Sequence, residues 1–339
     1  MTRHIRIKTP LKHWAAAAAT ATLLLAGTAG TFGAAQAAEW RGWNIHVPDY
    51  PVSLGMDQFT AEIEEKTGGK LTAKTYHNGV LGNQPDAIEQ MRLGSIDYAV
   101  FNLGPMGQVI PATNVVSLPF IFKSLDHMHR VLDGPVGGQL SDAMAVKGIV
   151  ALAWYDSGAR SFYNSKHPIN TPDDVKGMKV RVMNNDLFVD MIASMGGNAT
   201  PMAFSEVYSS IKTGVVDGAE NNWPSYESTA HYEVAGYYSS SEHLIIPECF
   251  CISKTLWDSL SAEEQDVVKS AARDSATLQR KLWAERSNAS RDKVIAAGVK
   301  YNEIADKAPF QAAMKPVYDK FIQNNPDLES LVRAIQAVD

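Results

Sequence analysis

Cysteine is nearly absent from this chain. The 339 residues include two cysteines, Cys249 and Cys251, both in the stretch ECFCIS, so the fold is not a disulfide-rich scaffold. Strand alternation places the two side chains on one face, and a disulfide that closes so small a loop would be strained. The sequence therefore predicts two buried thiols.

Long apolar runs are absent after the first 30 residues. The chain begins with four basic residues and no acid, continues with an apolar run over residues 15–30, and then shows an A-x-A site at residues 35–37. This order is typical of a secretory signal peptide, and we expect cleavage after Ala37 and export. A membrane anchor is the weaker interpretation, because the run mixes Ala, Gly and Thr with its leucines and no charged segment follows it.

Basic tracts are missing as well. The formal net charge is −6, and cleavage after residue 37 changes it to −10 because four basic residues and no acid are removed. An acidic chain without basic runs argues against binding to nucleic acid or to an anionic membrane surface. A few arginines held in a cleft can still bind a small anion.

Catalytic and metal-binding motifs are also missing. The sequence has no G-x-S-x-G, P-loop or H-E-x-x-H motif. In SSIKTG the elements S-x-x-K and K-T-G share Lys212, whereas enzymes that use both need separate lysines. His127 and His129 lie two residues apart in a predicted helix and so point apart, which predicts a solvated helix face. Asp217 and Glu220 lack a nearby nucleophile. We therefore predict no catalytic residue, no metal and no cofactor.

The predicted elements form two α/β lobes. Strand and helix patterns alternate as β-α-β-α-β over residues 38–102, which predicts a mostly parallel sheet with helices on its faces, and a second series starts with a strand at 148–158. A return strand is predicted at 245–254. Residues 261–297 contain neither Gly nor Pro, so a helix there is long enough to span both lobes. The predicted boundaries are 1–37 for the signal peptide, 38–157 plus 247–286 for lobe I, and 158–246 plus 287–339 for lobe II.

Two arginines are candidates for an anion site. Arg160 follows the strand at 148–158, and Arg181 lies inside the strand MKVRVMN. A guanidinium offers two parallel N–H donors to a carboxylate, although the position of each residue alone favours an ordinary surface arginine. Trp223 can present a flat face to a sugar ring or pack in a hinge. The same segments carry amides, which suit hydroxyls: Asn102, Asn184, Asn185, Asn221 and Asn222.

Three stretches resemble a known family. They are ATPMAFSEVYSSIKTGVVDGAENN at residues 199–222, GMKVRV at 177–182 and GVLGNQPDAIEQMRLGSIDYAV at 79–100. Together they resemble the DctP-type substrate-binding proteins of TRAP transporters, and the resemblance covers essentially all of the chain after residue 37, in order. It implies a periplasmic location and a type II-like binding-protein fold, with two α/β lobes, a cleft between them and a long lobe-spanning C-terminal helix. It also implies docking on a permease of a small and a large membrane subunit, and we expect the protein to be a monomer.

The resemblance assigns roles to the candidate residues. Arg181 corresponds to the arginine that pairs bidentately with the ligand carboxylate. Asn221 corresponds to the asparagine that braces the same carboxylate, and Arg160 to an arginine that often adds a further contact. The remaining predicted ligand-binding residues are His46, Asn83 or Gln84, Asn102, Asn184 and Trp223.

The stretches VRVMNNDLFVDM and ENNWPSYESTAHYEVAGYYS resemble the branch that takes uronic acids such as D-glucuronate and D-galacturonate. Neutral amides and His46 suit hydroxyls better than a second carboxylate. An aldonate, a C4-dicarboxylate and a 2-oxo acid are the near alternatives. A secreted enzyme acting on a sugar acid, with Asp217, Glu220 or Glu227 as its acid, and a ligand sensor that docks to a receptor are alternatives from other classes.

Overall fold

Two β-sheets organise the computed structural model, which describes residues 39–339. The strands of the first sheet are β1 Trp40–Trp43, β2 Ala73–Tyr76, β3 Tyr98–Asn102, β4 Ile149–Tyr155 and β10 Glu248–Ser253. Their order is β2-β1-β3-β10-β4. Strand β1 runs parallel to β2 and β3, whereas β10 runs antiparallel to β3 and β4. The parallel part is the sheet that the alternating pattern over residues 38–102 predicts.

The second sheet belongs to the second lobe. Its strands are β5 Ala159–Asn164, β6 Lys179–Val182, β7 Asn198–Pro201, β8 Gly218–Asn221, β9 Tyr237–Ile245 and β11 Lys300–Glu303. Their order is β11-β9-β5-β8-β6-β7. Strand β6 runs parallel to β7 and β8, β9 runs parallel to β11, and β5 is antiparallel to both β8 and β9. The predicted two-lobed α/β architecture is therefore confirmed.

Thirteen α-helices pack on these sheets within residues 39–339. They are α1 Pro51–Lys66, α2 Gln84–Arg92, α3 Leu103–Met106, α4 Leu125–Leu132, α5 Pro135–Val146, α6 Asp186–Ser194, α7 Val207–Lys212, α8 Trp223–Ser228, α9 Lys254–Ser259, α10 Ala262–Ala296, α11 Ala308–Ala313, α12 Lys315–Asn324 and α13 Glu329–Gln336. In α1, the buried residues Val52, Met56, Phe59 and Ile63 recur every three or four positions, which gives the helix one apolar face toward the core.

Helix α10 is the predicted long C-terminal helix. It begins with a capping box, in which the Ser261 hydroxyl accepts from the Glu264 backbone N–H and the Glu264 carboxylate accepts from the Ser261 backbone N–H, an arrangement that satisfies two donors at the helix start. Over its 35 residues it contacts α1 and β4 on the side of the first sheet and α8 beside the second sheet. The predicted lobe-spanning helix is therefore confirmed.

The chain crosses between the sheets at residues 156–158, from β4 to β5, and again at residues 246–247, from β9 to β10. The first crossing is tied to α10, because Gln279 accepts from the Asp156 backbone N–H at 2.9 Å and donates to the Asp156 carbonyl at 2.9 Å. Gly158 follows with φ +61°, and a Cβ atom at this position would lie 2.7 Å from Trp283 Nε1. The crossing is thus fitted closely against the long helix.

The predicted burial of the two cysteines is confirmed, whereas the prediction that they are thiols is wrong. The structure joins Cys249 and Cys251 in a disulfide within β10, and their Cα atoms are 5.6 Å apart. That separation lies inside the range that a disulfide spans, because alternation brings both side chains to one face of the strand. Both residues are fully buried.

The predicted solvated face of the helix containing His127 is also wrong. His127 is fully buried in α4. Its Nδ1 accepts from the Lys123 backbone N–H, and its Nε2 donates to the Ile335 carbonyl at 3.2 Å. His129 instead forms a hydrogen bond with Asp156 at 2.5 Å, so the two histidines attach α4 to α13 and to the crossing segment.

No helix within residues 39–339 combines the length and apolar character that a membrane span needs. The predicted signal peptide and its cleavage after Ala37 lie outside the described residues.

Candidate functional site

A cavity lies between the two sheets and offers about 600 Å³ of space, including the solvent at its mouth. Its polar lining comes from segments that follow or end β1, β3, β6 and β8, where ligands of open α/β sheets usually bind. The first-sheet side contributes Ile45, His46, Asn83, Gln84, Asn102 and Glu248; the second-sheet side contributes Arg181, Met183, Asn184, Met202, Phe204 and Asn221; and Ser157 and Arg160 follow the first crossing.

Arg181 is a buried cation without an acidic partner among residues 39–339. It lies on β6 with 2% of its surface exposed. Its Nε and Nη2 donate to the Met202 carbonyl at 3.1 and 2.8 Å, whereas Nη1 donates to no residue in the described part of the chain. Burial lowers the pKa of the Arg181 guanidinium to about 10, so the side chain remains protonated at neutral pH. Its Nη1–Nη2 edge is therefore left for an anion.

Arg160, in contrast, is neutralised by the protein. Its Nε and Nη2 donate to the two carboxylate oxygens of Glu220 at 2.6 and 2.8 Å, and Nη2 also donates to the Glu220 carbonyl. Its Nη1 donates to Asn221 Oδ1 at 2.8 Å. These contacts use four of the five N–H groups that a guanidinium carries. Arg160 can therefore contribute one further donor, but its charge is already paired.

Asn221 is oriented by this pair. Its Oδ1 accepts from Arg160 and from the backbone N–H of Asn222 at 2.8 Å, which fixes the side-chain amide so that Nδ2 is the free end. Nδ2 makes no hydrogen bond within residues 39–339. Asn221 and Arg181 lie on strands of the same sheet and line the same cavity, so both predicted carboxylate contacts are brought together.

The amides of the first-sheet side are also fixed. Gln84 donates to the Asn102 carbonyl at 2.7 Å and accepts from the Asn102 backbone N–H at 3.3 Å. The Asn102 side chain accepts from Gly104 at 3.1 Å. Asn83 accepts from the Ser205 hydroxyl at 3.0 Å, and this bond links segments on opposite sides of the cavity.

Several polar atoms at the cavity lack a protein partner. His46 Nε2 and Asn184 Oδ1 are buried and make no hydrogen bond in the described part of the chain. The His46 ring stacks on Tyr50 with 3.9 Å between centroids, which fixes its direction. Because buried polar groups are normally hydrogen-bonded, these two atoms mark positions where a polar ligand fits.

Sequence reasoning missed Glu248. This acid begins β10, is buried and lines the cavity. Its Oε1 lies 3.6 Å from His46 Nε2, although the two residues are about 200 positions apart in the chain. The stretch PECFCIS gave no local signal for this position, since only the pairing of β10 with β3 brings it to the cavity.

Trp223 is the predicted site residue that the structure places elsewhere. It is the first residue of α8 and stacks on Tyr238, with 3.6 Å between ring centroids. It lines a separate depression together with Trp283 of α10. The structure therefore does not bring Trp223 to the cavity with the other predicted residues, because Asn222 caps α8 and the ring turns toward β9.

The three acids considered for catalysis do not line the cavity. Glu220 is occupied by Arg160. Asp217 accepts from the Lys179 backbone N–H at 2.8 Å, and Glu227 accepts from Arg286 of α10 at 2.8 Å. The arrangement therefore offers donors and acceptors for binding an anion that carries hydroxyls. No group of three potential metal ligands occurs among residues 39–339.

Comparison with known proteins agrees with this geometry. The family model described as bacterial extracellular solute-binding protein, family 7 (DctP), matches residues 44–325. A relative from Chromohalobacter salexigens named "Solute-binding protein" is 58% identical over 320 residues, which are 94% of this chain and 95% of the relative.

Solved structures are similar over most of the chain. A TRAP periplasmic solute-binding protein from Sulfitobacter sp. NAS-14.1, with bound β-D-galacturonate, is 64% identical with a TM-score of 0.87; the match covers 88% of this chain and 99% of that chain. A TRAP periplasmic solute-binding protein from Roseobacter denitrificans, with bound β-D-glucuronate, is 62% identical with a TM-score of 0.88; the match covers 89% of this chain and 100% of that chain.

Proposed function

The chain belongs to family 7 of the bacterial extracellular solute-binding proteins, the DctP family, and we propose that it captures a hexuronate, D-glucuronate or D-galacturonate, for a TRAP-type transporter. The observation that carries this proposal is Arg181, a buried cation that faces the cavity without an acidic partner among residues 39–339. A buried unpaired charge is unfavourable. A ligand carboxylate bound to the Nη1–Nη2 edge removes that penalty.

The rest of the lining supports a ligand with several hydroxyls. Hydrogen bonds fix the orientation of three side-chain amides. Gln84 is held through both its nitrogen and its oxygen, and Asn102 and Asn221 are each held through the oxygen. Fixed amides discriminate between hydroxyl arrangements because an unmatched buried donor or acceptor is costly. The two related structures with bound galacturonate and glucuronate, at 64% and 62% identity, support a uronate as this ligand.

Lobe closure accompanies binding in this proposal. Arg181 and Asn221 belong to the second sheet, whereas His46 and Asn102 belong to the first-sheet side. A ligand contacts both groups only when the cleft is shut, so binding shifts the population toward the closed state. The crossings at residues 156–158 and 246–247 and helix α10 connect the moving parts.

The same proposal assigns the place and partners of the protein. An N-terminal signal peptide cleaved after Ala37 delivers it to the periplasm, where it acts as a monomer and docks on the small and large membrane subunits of a permease. It performs no catalysis: the candidate acids Asp217, Glu220 and Glu227 are held in structural contacts.

Thermal unfolding of the purified protein with a panel of acids tests this function. We expect D-glucuronate or D-galacturonate to raise the midpoint by several degrees, because a ligand at 100 times its Kd stabilises the folded state by about 2.7 kcal/mol. D-glucose and D-galactose, which lack the carboxylate, serve as matched controls and should leave the midpoint unchanged. A shift with an aldonate, a C4-dicarboxylate or a 2-oxo acid and none with either uronate contradicts the proposed substrate. Consumption of the uronate by substoichiometric protein contradicts the binding role.

A further inference from the structure

Glu248 differs from the other buried acids of the molecule. Within residues 39–339, the buried acids are Asp156, Glu220, Glu227 and Glu248. The first three each accept a hydrogen bond from a cationic or imidazole side chain: His129 for Asp156, Arg160 for Glu220 and Arg286 for Glu227. The Glu248 carboxylate accepts none in the described part of the chain, and its nearest basic group, His46 Nε2, lies at 3.6 Å.

The hydrogen-bond donors that Glu248 lacks must come from the cavity. Its side chain is 5% exposed, so bulk solvent solvates it poorly, and it lines the cavity between the sheets. Burying a carboxylate without donors is unfavourable. Hydroxyl groups are strong donors to a carboxylate and form short charge-assisted hydrogen bonds. A ligand that presents hydroxyls to Glu248 therefore satisfies it.

Glu248 and Arg181 together make the cavity bipolar. Arg181 is contributed by β6 of the second sheet, and Glu248 by β10 of the first sheet. Both charges lack a hydrogen-bonded partner of opposite sign among residues 39–339. A ligand with a carboxylate at one end and hydroxyls at the other complements both residues. An acid with carboxylates at both ends places its second negative charge on the side of Glu248, where like charges repel.

We propose that Glu248 is the specificity-determining residue that restricts the site to monocarboxylates whose remote end carries hydroxyls. This inference rests on the proposed function and deepens it, because it names what the site rejects. The excluded class is the sugar diacids, in which both ends of the carbon chain are oxidised to carboxylates. The Glu248 carboxylate thus accepts hydrogen bonds from the hydroxyls of a uronate and repels the second carboxylate of a diacid.

The test compares D-glucuronate with D-glucarate, the diacid of the same carbon chain, by calorimetric titration. We expect the wild-type protein to prefer D-glucuronate by at least about 100-fold. In Glu248→Gln, which keeps the shape and removes the charge, we expect D-glucuronate to bind about tenfold more weakly, because a neutral acceptor replaces a charged one. The affinity of this variant for D-glucarate should not fall, so its preference for D-glucuronate should decrease by about tenfold or more. Glu303→Gln, on the exposed edge strand β11, is the matched control and should keep the wild-type preference.

The possible outcomes distinguish a failure of this inference from a failure of the proposed function. If Glu248→Gln keeps the wild-type preference, the inference is overturned while the uronate function stands. Equal wild-type affinity for the two acids also overturns it, and this measurement needs no variant to fold. If the wild-type protein binds neither D-glucuronate nor D-galacturonate, the proposed function is wrong and the inference fails with it.

Discussion

Single residues in this molecule divide into charges paired for folding and charges left for a ligand. Arg160 and Glu220 pair at 2.6–2.8 Å although both are buried. Arg181 and Glu248 are equally buried. Neither is hydrogen-bonded to an oppositely charged side chain within residues 39–339. Removing one member of a buried pair leaves an uncompensated charge, so loss of Arg160 or of Glu220 alone should destabilise the fold, whereas Arg181 and Glu248 are the residues that we propose to act on the ligand.

Two buried histidines make the folded state sensitive to acid. Burial lowers the pKa of His231 and of His243 to about 3 in the folded protein, whereas an unperturbed histidine has a pKa near 6.5. Below pH 6.5 the unfolded chain binds these protons and the folded protein does not. The contribution of these two histidines to the free energy of unfolding is therefore fully present above pH 6.5 and is lost as the pH falls toward 3.

Between pH 6 and pH 5, the two histidines together should lower the free energy of unfolding by about 2 kcal/mol. Urea unfolding at both pH values measures this change. His243→Gln should remove about half of it, whereas the control His167→Gln, at an exposed position, should retain all of it. An unfolding free energy that stays constant over this interval would contradict the assignment.

At the residue scale, the sequence predicted those site positions that stand in recognisable motifs. Arg181 and Asn221 lie in strand-end blocks, and the structure brings both to the cavity. Glu248 has no such motif, because its position depends on β10 pairing with β3 after a return of about 150 residues. Trp223 lies away from the cavity for a related reason: the direction of a ring at a helix start depends on tertiary packing, here its contact with Tyr238.

At the scale of elements, Gly158 is the position where a small change should disturb the junction of the lobes. It adopts φ +61°, and an added Cβ would meet Trp283 of α10 at 2.7 Å. Gly158→Ala should therefore lower the free energy of unfolding by about 2–4 kcal/mol, combining left-handed backbone strain of about 1 kcal/mol with the overpacking of about 1–3 kcal/mol.

Gly68→Ala is the matched control for this variant. Gly68 adopts a similar φ of +60°, but nothing lies within 4 Å of an added Cβ. Gly68→Ala should lower the free energy of unfolding only by the left-handed backbone strain, about 1 kcal/mol. Urea unfolding measures both variants, and equal losses would show that Trp283 does not restrict the crossing.

The elements themselves were predictable where local signals agree. Helix α10 has no Gly or Pro from 261 to 297 and starts with a capping box, so its presence and length follow from the sequence. Helix α1 begins at Pro51, which occupies the first helical position, because a proline there loses no helical hydrogen bond. The burial of α4 depends on packing against α13, which no local pattern reveals.

At the scale of the whole molecule, the two sheets face each other across one ligand cavity. The first-sheet side supplies oriented amides and the Glu248 carboxylate, which accepts no hydrogen bond from residues 39–339. The second supplies the Arg181 guanidinium, which has no acidic partner among those residues. Bonds such as Asn83 to Ser205 already link the two sides. In the proposed function, closure around a uronate joins complementary groups that neither lobe can satisfy alone.

The most direct measurement is calorimetric titration of D-glucuronate into the wild-type protein, Arg181→Gln and Arg333→Gln. Arg333 lies exposed on α13 and controls for the loss of one positive charge. We expect Arg181→Gln to weaken binding by about 3–5 kcal/mol, because the ligand carboxylate is left buried without its partner. Its ligand-free stability should not fall, and Arg333→Gln should bind as the wild type does. If Arg181→Gln binds D-glucuronate within about threefold of the wild-type Kd, Arg181 is not the carboxylate anchor.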